Sequence, residues 1–556
     1  MSFQYALLKE EYVKNQKQDT FLQEQNITKL RNYLLFYSQA HSWDKDVKHV
    51  LSFFENKFLN SEEGQAEILE ELATLYIDLS GAYCMWHVEK TIDADAVERA
   101  KKAVLALLEK LEASAPARSK EVIEKLTART INRYEAEKIK PDLQKALAKK
   151  HCGINLVEYC KNTAELICSS NLAKISRLAN SHPDRIIIGN DFGDFLQETL
   201  WLGASFVTTN PPLINAAWAL DESYWQNALK AFLKQEQELL AEAPSWMTKT
   251  EKLCACATLL VVEKNCKMLR DIFLTAGGET GYCCYQVNPL NHRDCEKMLG
   301  EVLFVYKVLQ KRLGGIPNVS FKLPGLPAGL KVAERLGAEG ISATITLEYG
   351  LFQALAFAKI FKESKALINN LVIMNGRIAF PVRDELLESG VPETDLSYRF
   401  TGVEITRRLY RVLYAKKADG GLELDKKKVR IMNASLRDYG TDIPDLTELW
   451  GSPLITIFPN ARQVFDAAKR EISLDAVFKK TDEKYIGVLK KSSQFSQAYW
   501  YEADGTESRP EGYIPFDIEH ENEIIDWPPI AATLSQFLDS YKALAAKMDM
   551  LIPEEA

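Results

Sequence analysis

Apolar positions along the chain fall into two regimes. From the N-terminus to about residue 170 they recur at helical spacing. Ile68, Leu72, Leu75 and Leu79 form one face, and Val97, Ala100, Val104, Leu107, Leu108 and Leu111 form another. Asn60 and Glu63 have capping-box spacing, which predicts a helix beginning near Asn60. The charged run from Lys138 to Lys150 reads as a solvated helix face. Trp86 and His87 sit in an apolar patch with Tyr83, Cys84 and Met85, where a histidine reads as a core or interface residue. From about Arg185 the pattern becomes short β-prone runs separated by helical stretches. The predicted strands are 186–191, 205–208, 281–287, 319–322, 342–347, 370–374, 429–434 and 454–458. Eight strands alternating with helices predict the α/β class and a (β/α)8 TIM barrel.

The predicted organisation is a helical N-terminal region at 1–170, the barrel at 171–473 and an appended C-terminal subdomain at 474–556. The second connection, 213–279, is long and helical. The sixth carries extra material at 380–425, in which 416–421 reads as an exposed turn. Beyond residue 473, Asp504-Gly505 marks a turn, 510–515 reads as irregular and a helical pattern returns at 530–550. Trp500, Tyr513, Phe516 and Trp527 need burial, so this part packs on the barrel.

One stretch, 319–354, concentrates the chemistry. A short strand ends in Lys322, and a turn with Pro324, Gly325 and Pro327 follows. A helix then places Leu330, Ala333 and Leu336 on one face, and Gly340 stops it. The next strand carries Thr344 and Thr346 on one side. A lysine buried at an apolar strand end loses ammonium character, and its neutral amine attacks carbonyls. Alone, Lys322 reads more readily as a lysine snorkelling past the strand end or binding a phosphate, because lysines are common at exposed strand ends. Other polar residues fall at successive strand ends. Asp191 ends the first strand, Asn210 follows the second and Gln286 lies near the end of the third. Thr346 is late in the fifth, Arg377 follows the sixth, and Ser435 and Arg437 follow the seventh. Parallel strands bring such residues to one face, so the pattern implies a barrel enzyme acting on an anionic carbonyl compound. Singly, Asp191 reads as a helix N-cap, Asn210 as turn chemistry, Thr346 as a β-branched strand residue and the arginines as surface ion-pair partners.

Composition narrows the classes. The 556 residues are 46% hydrophobic and 26% charged, as in globular proteins. A net charge of −8 argues against sequence-independent nucleic-acid binding. No apolar run is long enough for a membrane span, and the first residues turn charged before a signal-like core forms, which predicts a cytoplasmic protein. The ten cysteines include no CxxC pair and read as reduced thiols. Cys254, Cys256 and Cys266 lie in a helical pattern without a nearby histidine, which argues against a metal site.

Lys322, Gly329, Gly340 and Thr346, with the following Leu351-Phe352-Gln353-Ala354, resemble the Schiff-base segment of transaldolases without a gap. The likeness continues at Val207-Thr208-Thr209-Asn210-Pro211, at Asn375-Gly376-Arg377-Ile378 and at Asn433-Ala434-Ser435-Leu436-Arg437, and covers roughly 185–467. The resemblance implies a class I, cofactor-free and metal-free mechanism of carbohydrate metabolism, in the pentose phosphate pathway. Lys322 would form the Schiff base and Asp191 would move the C4 hydroxyl proton. Asn210 would hold the dihydroxyacetone hydroxyls and Thr346 would orient a water. Arg377, Ser435 and Arg437 would clamp phosphate. Where transaldolases have a water-assisting glutamate this chain has Gln286, as in the related fructose 6-phosphate aldolases. Val372 and Met374 replace an expected serine and aromatic residue, and Thr344 an expected asparagine. The implied activities are transfer of a dihydroxyacetone unit between sugar phosphates, aldol cleavage releasing dihydroxyacetone, or either reaction on another anionic ketose. A barrel without catalysis that serves as an interaction protein is the reading from another class, and homo-oligomerisation stays open.

Overall fold

The structure, a computed structural model, describes residues 3–81, 88–181, 186–440, 442–480, 482–502 and 508–551. The Tyr83–Trp86 patch, His87, Arg185 and Asp504-Gly505 lie outside the described residues. Strands β1 (Ile187–Asn190), β2 (Ala204–Val207), β3 (Tyr282–Gln286), β4 (Val319–Pro324), β5 (Ala343–Thr346), β6 (Asn369–Met374), β7 (Val429–Ala434) and β8 (Leu454–Ile457) pair in sequence order into a closed parallel barrel. The eight predicted strands are all present, each within a few residues of its expected bounds. Every strand residue is buried, because helices cover the outer face while side chains fill the inside.

Two expectations need correction. Lys322 does not end its strand. The ladder runs two residues further, with Leu323 opposite Ile345 and Pro324 opposite Thr346. Proline is tolerated at that strand end, and Gly325 N–H still donates to the Thr346 carbonyl at 2.5 Å. Nor does Asn60 open a helix. It closes the helix Trp43–Asn60, donating its side-chain amide to Asn56 O at 2.8 Å. The next helix, Gln65–Asp78, starts at Gly64 with no side-chain cap. Its predicted apolar face is buried, as are Ala100, Val104, Leu108 and Leu111 of Ala94–Ser114.

The N-terminal helices brace the barrel through polar ties. Tyr37 Oη and Asn32 Nδ2 donate to the Asp271 carboxylate at 2.6 and 2.8 Å. Arg129 reaches Glu198 at 2.6 Å and Asp194 at 3.4 Å, just beyond β1. The C-terminal segment attaches on the side of the strand C-termini. Ser492 and Ser493 hydroxyls donate to Glu385 at 2.6 and 2.5 Å. Gly350, after β5, meets the helix Ser493–Tyr499 so closely that a Cβ would lie 2.4 Å from Ala498 Cα. The C-terminal helix Pro528–Leu551 packs on Pro211–Leu220 and Lys249–Thr275. Trp500 and Trp527 are buried, and Tyr513 and Phe516 pack against the core. Among the described residues, no helix is long and apolar enough to cross a membrane, and every cysteine is free.

Between β5 and the following helix, Glu348 is fully buried, and among the described residues neither carboxylate oxygen has a partner. Burial alone drives its pKa well above the ordinary value, because an ionised carboxylate is costly away from water. A raised folded-state pKa stabilises at low pH and is lost as pH climbs through the gap between unfolded and folded values. Within that gap the slope is about 1.4 kcal/mol per pH unit. Glu348→Gln removes the titration. Urea unfolding at pH 5 and pH 8 should show the variant gaining stability relative to wild type as pH rises. Parallel pH dependences of the two proteins would contradict this.

Candidate active site

The first element of the site is the loop after β1. Asp191 continues the ladder by donating its N–H to Ile457 O at 3.1 Å. Asn190 Nδ2 donates to the carbonyls of Phe192 and Asp194 at 2.9 and 3.0 Å, which fixes the turn. The following helix, Leu196–Leu200, has Phe195 at its N-cap and no side-chain cap, so Asp191 is not a capping residue. Its carboxylate instead accepts from Thr208 Oγ1 at 2.7 Å, and Thr208 also contacts Thr456 Oγ1 at 2.7 Å. Three strands, β1, β2 and β8, thereby converge on one buried carboxylate.

Lys322 lies opposite Gln286 in the β3–β4 register and is 5% exposed. Its Nζ donates to the Thr209 carbonyl at 3.3 Å. Burial pulls the lysine pKa below 10.5, Asp191 and Cys284 oppose that fall, and Arg377 adds to it. Burial likewise raises Asp191, against the attraction of Lys322, the Thr208 hydrogen bond and the two arginines Arg377 and Arg437. Desolvation outweighs the mutual attraction on both sides. The amine is thereby shifted toward its nucleophilic form.

Gln286, Lys322 and Thr346 line one small cavity, of about 10 Å³, together with Leu534 and Phe537 of the C-terminal helix. Among the described residues Gln286 Oε1 is buried without a partner, and Thr346 Oγ1 has only a long 3.8 Å contact to Met374 Sδ. Asn210 and Gln286 border a second cavity of about 10 Å³, closed by Tyr541 and Leu544. Asn210 does perform turn chemistry: its Oδ1 caps the helix Pro211–Leu220 through Leu213 N–H at 2.9 Å. Thr344 faces the barrel interior, where its hydroxyl is shared by Ser320 at 2.7 Å and Asn370 at 2.9 Å.

The arginines come from the loops after β6 and β7. Arg377 is in the first turn of Asn375–Glu388 and Arg437 follows the β7 end. Ser435 adopts φ 57°, a left-handed conformation that turns the chain so that Arg437 folds back toward Gly376. Gly376 permits this approach, since a Cβ there would lie 2.3 Å from Arg437 Cγ and 2.5 Å from Ser435 O. Arg437 N–H donates to Asp445 Oδ2 at 3.2 Å, and burial lifts that carboxyl to about 7. Arg377 Nε is buried without a partner among the described residues, and Nη1 reaches Thr533 Oγ1 at 3.4 Å. All eight residues anticipated from sequence therefore lie in the C-terminal halves of the strands or in the loops that follow them.

Several neighbours were not anticipated. Glu301 accepts from Tyr285 Oη at 2.9 Å and from Asn288 N–H at 3.0 Å, anchoring the turn beside Gln286. Burial raises its pKa to about 7. Leu534, Phe537, Tyr541 and Leu544 carry no sequence signal beyond an amphipathic helix. Tyr349 and Thr533 carry none at all. Among the described residues, no three carboxylate, cysteine or histidine groups are placed to hold a metal ion.

Two outcomes follow from this geometry. Competitive acylation of lysines across pH should give Lys322 a pKa below 10.5. Asp191→Asn should lower it further, because a carboxylate that favours the ammonium is gone; an upward move would refute the coupling. Gly376→Ala should cost about 1–3 kcal/mol in urea unfolding, because the new methyl overpacks against the Arg437 loop. An unaltered midpoint would mean the loop gives way freely.

A sequence model of the family described as transaldolase/fructose-6-phosphate aldolase matches residues 195–499. A transaldolase of Acidobacterium capsulatum is 29% identical over 271 residues, covering 48% of this chain and 71% of that protein. One of Nostoc punctiforme is 29% identical over 255 residues, covering 46% and 65%. One of Neisseria meningitidis serogroup A is 27% identical over 160 residues, 29% of this chain and 41% of that protein, so the chain spans about two fifths of the length of that relative. Asp191 precedes the family match by four residues, and the C-terminal helix lies beyond it. Because the match takes in more than half of the 556 residues, the chain belongs to the transaldolase/fructose-6-phosphate aldolase family.

Proposed function

We propose that this chain is a transaldolase-type enzyme that moves a dihydroxyacetone unit from a phosphorylated ketose to an aldose phosphate through a Schiff base on Lys322. The observation that carries the reading is the buried Lys322 amine, shifted toward neutrality, with Asp191 in electrostatic reach. The neutral amine attacks the ketose C2 carbonyl, and loss of water gives an iminium. Asp191 takes the C4 hydroxyl proton, the C3–C4 electron pair moves into the iminium, and the shortened aldose phosphate leaves. The resulting enamine attacks the acceptor aldehyde, whose oxygen recovers the proton from Asp191. Water then releases the new ketose and restores Lys322.

In this reading Asn210 offers its amide Nδ2 to the donor hydroxyls while its Oδ1 holds the helix. Thr346 and Gln286 position the water of imine formation and hydrolysis. Arg377, Ser435 and Arg437 receive the phosphoryl group through charge-assisted hydrogen bonds. A cytoplasmic setting and the pentose phosphate pathway belong to the same proposal. One observation favours a second reading: Gln286, with Oε1 unpartnered, can orient water but cannot exchange a proton. That suits an aldolase that releases free dihydroxyacetone.

Borohydride trapping with fructose 6-phosphate tests the mechanism. A reduced three-carbon adduct on Lys322, absent in Lys322→Arg, is expected by peptide mass spectrometry. A folded sample that gives no adduct overturns the Schiff-base assignment for this donor. Turnover should rise when an acceptor aldose phosphate is supplied; indifference to acceptor selects the aldolase reading. Arg437→Ala should raise KM for phosphorylated sugars about tenfold or more, the usual loss for a charged hydrogen-bond partner.

A further inference from the structure

Arg377 reaches a pair of hydroxyls that the family match does not bring together. Tyr349 follows β5, and Thr533 belongs to the C-terminal helix, outside residues 195–499. Both are buried, at 0% and 1% exposure. Tyr349 Oη and Thr533 Oγ1 lie 2.5 Å apart, and Arg377 Nη1 donates to Thr533 Oγ1 at 3.4 Å. Arg377 and Arg437 both depress the Tyr349 pKa against burial, so both guanidiniums are in electrostatic reach of that hydroxyl. Phe537, one turn along from Thr533, places its ring 5.8 Å from the Arg377 guanidinium and closes the apolar side.

The donors here do not balance. One hydroxyl donates to the other, and Arg377 also donates to Thr533. Whichever way the hydroxyl pair is arranged, one hydroxyl hydrogen is left without an acceptor among the described residues. Arg377 Nε, also buried, adds a second unused donor. Unused donors are costly away from water, and a cluster of them beside two guanidiniums calls for an anionic acceptor.

We propose that the Tyr349–Thr533 hydroxyl pair is a binding element for the phosphoryl group, so that the C-terminal helix supplies one wall of the anion pocket. This rests on the phosphate-clamp reading of Arg377 and Arg437 and extends it to two residues with no assigned role. The anion takes the surplus hydroxyl hydrogen and the Arg377 Nε hydrogen together. Occupancy of the pocket therefore pins the C-terminal helix to the barrel.

Inorganic phosphate is the probe, used as a competitive inhibitor of the full-length enzyme. Thr533→Val and Tyr349→Phe each remove one hydroxyl at nearly constant volume. Each should raise the phosphate Ki about tenfold, the usual scale for a hydrogen bond to a charged group. Each should also lower the ratio of kcat/KM for phosphorylated over unphosphorylated ketose by a similar factor, a change that general loosening of the helix does not produce. Hydrogen exchange within 528–551 should slow on adding phosphate to wild type. If Arg437→Ala weakens phosphate while both hydroxyl variants stay within twofold of wild type, the hydroxyl pair is merely structural and the proposal fails. If Arg437→Ala has no effect either, the clamp reading itself fails and takes the proposal with it.

Discussion

An amine and a carboxylate buried in the same barrel mouth set the terms for everything else. Lys322 and Asp191 attract one another, yet burial costs each more than the attraction returns. The lysine is therefore held nearer neutrality than a surface lysine, which is what a nucleophile requires. The proposed reaction then changes the balance. An iminium cannot shed its charge by losing a proton as an ammonium can. Its formation fixes a cation beside Asp191 and favours the ionised carboxylate at the step where a base is needed.

That environment is assembled from distant parts. β1, β2 and β8 hold Asp191 through the two threonine hydroxyls, and the N-terminal helices brace the adjoining loop through Arg129. At the other end of the site, Gly376 and the left-handed Ser435 let the Arg437 side chain pack against the start of the helix that carries Arg377. Burial lowers the Arg377 pKa, Arg437 adds to the fall, and Tyr349 and Asp191 oppose it, so a like charge and the loss of water both act against this guanidinium.

Much of this was legible in the sequence, because a parallel barrel writes its strands as short buried runs at regular intervals. The eight strands and the placement of eight polar residues at their ends follow from that period. The misplaced start near Asn60 shows the weakness of a two-residue signal: Asn60 and Glu63 have capping spacing, but the preceding helix was still running. The strand runs past Lys322 although Pro324 reads as a breaker, because a closed barrel tolerates proline once its neighbour keeps the ladder. Glu301 and Glu348 look in sequence like ordinary surface carboxylates, and only packing reveals them as buried. Tyr349 and Thr533 are 184 residues apart, and no local pattern links them.

The cover over Lys322 comes from Leu534 and Phe537, more than 200 residues downstream. Chains leave the ribosome N-terminus first, so β4 emerges long before its cover does. The eight strands are complete at Ile457, whereas the helix that supplies these two side chains begins at Pro528. The surroundings that lower the Lys322 pKa are therefore assembled only after the chain of the barrel itself has been made.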